Sequence, residues 1–150
     1  MRYAMSDMRH PICDCRNTEN RISHIGILKI NYMHNFKELI VWQKSRYLVK
    51  DIYKLTQKFP ADERFGLTQQ IRRAAVSIPS NIAEGSGRGT NNDFSHFIDI
   101  ANGSAFELET QMYLALDLEY ISQSEFEEIA IKLIDVEKLI YNFKKSLSKN

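Results

Sequence analysis

Apolar residues recur at alternating steps of three and four through most of the second half of this chain, and that rhythm constrains the fold more than any other feature. Phe94, Ile98, Ala101, Ala105, Leu108, Met112 and Ala115 step four, three, four, three, four, three. Phe126, Ile129, Leu133, Val136, Ile140, Phe143 and Leu147 repeat the rhythm in the opposite phase. A spacing near 3.5 residues keeps every apolar side chain on one seam of a helix, where only another helix can cover it.

Two earlier segments follow the same logic. Val41, Ser45, Leu48, Ile52, Leu55 and Phe59 form one face of a helix over 36–58, with Trp42, Val49 and Tyr53 widening it. Pro60 ends that helix, because the residue before a proline avoids the helical region. Leu67, Ile71, Ala74, Ala75, Ile78 and Ile82 form the stripe of a second helix over 63–84. Pro79 lies inside it and costs about 3 kcal/mol unless a kink is used. The expectation is one kinked helix, ended by Gly85 as a left-handed cap. Ala74, Ala75, Ser77 and Ser80 are small enough for a neighbouring helix to come close. Helices 3 and 4 are predicted over 91–119 and 123–147, opened by Thr90 with Asp93 and by Ser122 or Ser124. Gly103 inside helix 3 costs about 1 kcal/mol relative to alanine. With Ala101, Ser104 and Ala105 it predicts close helix packing.

Four amphipathic helices with short links predict an all-α, antiparallel up-down-up-down four-helix bundle over residues 35–147. Helix 3 carries more apolar surface than one seam needs. Phe97, Ile100, Leu114 and Leu118 lie beside the main stripe, and the surplus predicts subunit contacts.

Residues 1–34 lack this periodicity. They read as a disordered segment or as an extension upstream of a start at Met33. His10, Cys13, Cys15 and His24 lie there, but zinc sites separate their cysteines by two to four residues, and here the gap is one. That leaves an unstructured leader as the favoured reading, with no metal. The same short gap makes a Cys13–Cys15 disulfide awkward, which implies a reducing compartment and a cytoplasmic protein. The apolar run 25–30 is too short for a membrane span and contains Lys29. No secretory signal is visible.

The net charge is only +1, yet charge is sorted by helix. Helix 1 holds six basic residues against Glu38 and Asp51, whereas helix 3 holds six acidic residues and no Lys or Arg. Lys44, Arg46, Lys50 and Lys54 are the candidate phosphate-binding stripe. A solvated helix surface is the plainer alternative. Arg88, in the glycine-rich link 85–90, is a further candidate for phosphate. Arg72 and Arg73 lie mid-helix with few charges around them. An interhelical ion pair with Glu84, Glu107 or Glu109 is their expected role.

Reactive chemistry finds little support. Di-iron bundles need inward glutamates and two Glu-x-x-His pairs, and His96 is the one histidine beyond residue 35. No cysteine remains there as a nucleophile. The link 85–90 follows no strand and lacks the lysine of a nucleotide loop. The expectation is a non-enzyme without cofactors.

The string QIRRAAVSIPSNIAEG at 70–85 resembles the bacterial four-helix-bundle family first noticed as products of intervening sequences in 23S ribosomal RNA genes. FKELIVWQK at 36–44, Gly87-Arg88, IANGS at 100–104 and ELET at 107–110 are similar to it too. The likeness spans about 35–147. It implies a ring-like homopentamer. A related branch, the accessory protein of diversity-generating retroelements, binds nucleic acid and a reverse transcriptase through a basic surface. Residues 36–150 depart from that branch, with 15 basic and 16 acidic residues. The resulting expectation is an oligomeric interaction scaffold that binds RNA, DNA or a reverse-transcriptase-like protein. The alternative is a structural or toxin-like protein–protein module without nucleic acid.

Overall fold

The computed structural model describes residues 35–148; the leader, with His10, Cys13, Cys15, His24 and Met33, lies outside them. Four helices account for most of the described chain: α1 (Ile40–Leu55), α2 (Leu67–Ser86), α3 (Asn91–Asp117) and α4 (Gln123–Leu147). No strand occurs among the described residues.

The predicted helix over 36–58 is divided. Asn35 caps a 3-10 turn at Phe36–Glu38, and Leu39 is extended before α1 begins. At the far end Thr56 turns its hydroxyl onto the Ile52 carbonyl at 2.9 Å, and the chain tightens into a second 3-10 turn, Thr56–Lys58. A side-chain hydroxyl that competes for the helical carbonyl is a known way to end regular structure. α2 starts four residues later than 63 because Ala61–Phe65 is itself a 3-10 turn. The Glu63 carboxylate then accepts the Leu67 N–H at 2.8 Å, satisfying one of the orphan donors of the new helix.

α2 runs unbroken through Pro79. The following Ser80 hydroxyl and Asn81 amide donate to the Val76 and Ser77 carbonyls, each at 2.8 Å. Gly85 does not end this helix. It lies inside it, no glycine of the described chain has positive φ, and the cap is Gly87 in the right-handed region. The reason for glycine at 85 is proximity. A Cβ there would lie 2.5 Å from Phe94 Cδ2 and 2.7 Å from Phe97 Cβ. The start of α3 is therefore pressed against the end of α2.

α3 opens with the Thr90 hydroxyl accepting the Asp93 N–H at 3.1 Å. It closes with two bonds, Glu119 N–H to the Leu116 carbonyl and Tyr120 N–H to the Ala115 carbonyl, both 2.9 Å. This is a Schellman closure with Glu119 in the left-handed position, φ 59°. α4 opens with a reciprocal capping box between Ser122 and Glu125.

All seven stripe residues of α3 are buried, as are Leu48, Ile52, Ile71, Ile78, Ile82, Val136 and Ile140. Each of the larger side chains among them, Leu, Ile, Val, Met or Phe, contributes about 1.5–3 kcal/mol by leaving water. Neighbouring helices meet along three seams. Between α2 and α3, Ser77 meets Ser104 hydroxyl to hydroxyl at 2.8 Å. Between α3 and α4, Phe94 packs on Phe143 and Tyr113 on Phe126, with ring centroids 5.1 and 4.7 Å apart. Between α1 and α4, Lys58 pairs with Glu125 and Lys132 with Asp51. The α2–α3 contact is the most extensive, consistent with the small residues at its centre. Gly103 is the exception among them. It is exposed, and a Cβ there would meet nothing within 4 Å, so close packing among the described residues does not explain it. No helix of the described residues is long and apolar enough to cross a membrane.

Candidate interaction surfaces

Arg46, Lys50 and Lys54 follow one another at intervals of four on α1, so they step along one side of the helix, and Lys54 reaches the cleft toward α4 that Asp51, Glu125 and Glu128 also line. All three are exposed, and none has a carboxylate partner among the described residues. The Arg46 guanidinium rests over the Trp42 and Tyr47 rings, 5.3 Å from each centroid. That stacking props the cation along the helix surface and leaves its edge N–H groups for a ligand.

Lys44 does not join them. Two residues before Arg46, it is turned about 200° around the axis. It lines a cleft between α1 and α4 with Asp51, Lys132 and Asp135. There Lys132 donates to Asp51 at 2.8 Å and to Glu128 at 2.7 Å. Those two bonds, with Asp51 the stronger influence, hold the Lys132 ammonium above the usual lysine range. Arg88 is also separate. It pairs with Glu84 at 2.6 Å and stacks on Phe97 at 4.5 Å, at the α2–α3 corner. A carboxylate already answers its charge.

The expected ion-pair group is scattered. Arg73 approaches Glu107 to 4.0 Å, a loose surface contact. Arg72 pairs with no carboxylate among the described residues. Its Nε donates to the Thr56 hydroxyl at 2.8 Å, and its guanidinium covers Tyr53 at 4.8 Å, so it ties α2 to the end of α1. Glu84 serves Arg88 instead. Glu109 lies beside Glu137 across the α3–α4 seam. Burial, and then the Glu109 charge, raise the Glu137 carboxyl above its usual range. His96 is exposed on α3 beside Phe97.

The other surface is apolar. Ile100, Leu114 and Leu118, read from the sequence as surplus, are 40–51% exposed. Phe97 is half-buried beneath Arg88. The sequence reading missed Phe106 and Tyr113 on α3, and Ile131, Ile134 and Tyr141 on α4, all exposed. The seven-residue interval from Phe106 to Tyr113 was the available signal. Among the described residues no group of three or more His, Cys, Asp or Glu side chains is placed to hold a metal ion.

Comparison with known proteins bears on the same stretch. No curated protein matches the chain. Among solved structures, a protein of unknown function from the S23 ribosomal protein family of Bacteroides thetaiotaomicron superposes with a TM-score of 0.66. It is 28% identical, and the match covers 71% of this chain and 99% of that one. The family model described as 23S rRNA-intervening sequence protein matches residues 37–142, from the turn before α1 into the last part of α4. The four helices, the string at 70–85 and this match agree, and the chain belongs to the 23S rRNA-intervening sequence protein family.

Proposed function

We propose that this protein is a non-enzymatic, self-associating scaffold of the cytoplasm that holds nucleic acid along one exposed side of α1. The observation that carries the reading is the contrast among its cations. Lys58, Arg88, Lys132 and Lys144 each have a carboxylate partner. Arg46, Lys50 and Lys54 have none among the described residues, and they share one exposed face. A row of unpaired cations about one helical turn apart suits a phosphate backbone, whose charges are also regularly spaced. The aromatic bed of Arg46 adds a surface on which an unpaired base can stack.

Self-association is supported by the apolar residues left on α3. Large exposed apolar patches on a folded domain mark contact surfaces. A ring such as the resemblance implies repeats the α1 row in every copy, so weak single contacts add by multivalency.

Heparin chromatography of the full chain tests the nucleic-acid part. The triple variant Arg46→Glu, Lys50→Glu, Lys54→Glu is expected to lose salt-dependent retention, whereas Lys44→Glu and Arg88→Glu keep most of it. Equal losses in all three proteins contradict the assignment. The second reading, a protein–protein module without nucleic acid, is favoured by the balance of 15 basic and 16 acidic residues over 36–150. Unretained wild-type protein is the result it predicts.

A further inference from the structure

We infer that the edge of α3 centred on Gly103, together with the neighbouring flank of α2, is the surface that meets a second copy of this chain. The inference rests on the self-association reading above and names its site. Four observations converge on it.

The first is Gly103 itself. Glycine weakens a helix interior, and among the described residues nothing compensates, since a Cβ there would meet no atom within 4 Å. Gly85 shows the contrast, because there the phenyl rings of α3 require the missing side chain. A helical glycine that no neighbour among the described residues requires points to a neighbour beyond them, and the charges below select a second copy. The second is the setting. Ile100 and Phe106 lie three residues to either side of Gly103, and Leu114 and Leu118 continue the same exposed side of the helix. Val76 adds an exposed apolar residue from α2. The glycine makes a hollow between larger side chains, the shape that receives a knob from a packing helix.

The third observation selects the occupant. α3 holds five acidic residues and no Lys or Arg, so the helix is a poor seat for a phosphate backbone. Yet Arg73 and Glu107 stand together at this surface, 4.0 Å apart, with side chains 73% and 43% exposed. One cation and one anion, loosely paired and both accessible, offer a second copy the same two charges in return. The fourth is the fixed carboxylate. Gln111, itself buried, donates to Glu107 Oε1 at 3.1 Å and holds that anion at the edge of the patch. A second copy therefore fits both the apolar and the charged parts, and the α1 row stays free.

Sedimentation velocity over a concentration series tests the assignment. Gly103→Leu strengthens the isolated helix, so its loss of assembly cannot be blamed on unfolding, and far-ultraviolet circular dichroism checks that point. The wild type is expected to sediment as an oligomer. Gly103→Leu is expected to raise the dissociation constant at least about tenfold. Arg73→Glu is expected to weaken assembly, and Arg73→Glu with Glu107→Arg to restore it. An oligomeric wild type with unchanged assembly in Gly103→Leu overturns this surface and leaves self-association standing. A monomeric wild type overturns both.

Discussion

Gly85→Ala is expected to destabilise the bundle, against the ordinary effect of that substitution in a helix. Alanine improves helix propensity by about 1 kcal/mol over glycine. At position 85 the added methyl would lie 2.5 Å from Phe94 Cδ2, 2.7 Å from Phe97 Cβ and 3.0 Å from Phe94 Cε2. Carbon atoms prefer about 3.5–4.0 Å, so roughly 1 Å must be found. Phe94 cannot yield freely. It is fully buried and packs edge-on against Phe143. The remaining route is to move the start of α3 away from α2 and loosen the most extensive seam of the fold. Overpacking of this kind costs about 1–3 kcal/mol, and two close carbons place it in the upper half of that range. Subtracting the propensity gain leaves a net loss of about 1–2 kcal/mol. Unfolding entropy of about 2.1 cal/mol/K per residue converts this to a fall in Tm of about 4–8 °C for the described residues. Urea denaturation followed by circular dichroism at equal protein concentration measures it, since assembly makes Tm depend on concentration. A variant as stable as the wild type refutes the close-approach account and returns Gly85 to an ordinary helix position.

Two further outcomes follow from local geometry. Glu119 holds the left-handed position of the α3 closure at φ 59°, so Glu119→Gly is expected to stabilise by about 0.5–1 kcal/mol; a lower urea midpoint counts against the strain argument. The Glu125 carboxyl is lowered to about 2, first by the hydrogen bond from Lys58 and then by the backbone and side chain of Ser122. A depressed carboxyl contributes stability that is complete above its unfolded value of 4.5 and fades as pH falls toward 2. Glu125→Gln is therefore expected to flatten the acid side of the stability profile in that window, and an unchanged slope argues against the cap.

The parts of this structure that were readable in the sequence are those governed by local rules. α4 occupies the predicted range 123–147 because a capping box opens it and seven apolar residues keep one phase throughout. α3 begins where Thr90 and Asp93 place it. The misreadings arose where a local rule met a tertiary demand. Glycine after a helical stripe usually marks a left-handed end, but Phe94 and Phe97 needed Gly85 inside the helix. Glu119 shows the converse, since a left-handed closure there had no glycine or asparagine to announce it. Arg72 was assigned a carboxylate on charge grounds, yet Thr56 and Tyr53 are what lie within its reach. Lys44 belongs with Arg46 by the basic charge of helix 1 as a whole, yet helical geometry sets the two on different sides. The exposed apolar residues of α3 were legible in part, because a second seam in one helix is visible as surplus. Whether a flanking aromatic such as Phe106 or Tyr113 is covered depends on where α4 lies, and no spacing rule supplies that.

Binding of a labelled single-stranded RNA, followed by fluorescence anisotropy across a salt series, tests the central claim most directly. Three phosphate contacts from Arg46, Lys50 and Lys54 predict a slope of log K against log salt of about −2 for each copy engaged. The slope is expected to collapse in the triple glutamate variant while the protein keeps its size and helicity. An RNA that does not bind, or that binds the variant with the same slope, contradicts the account.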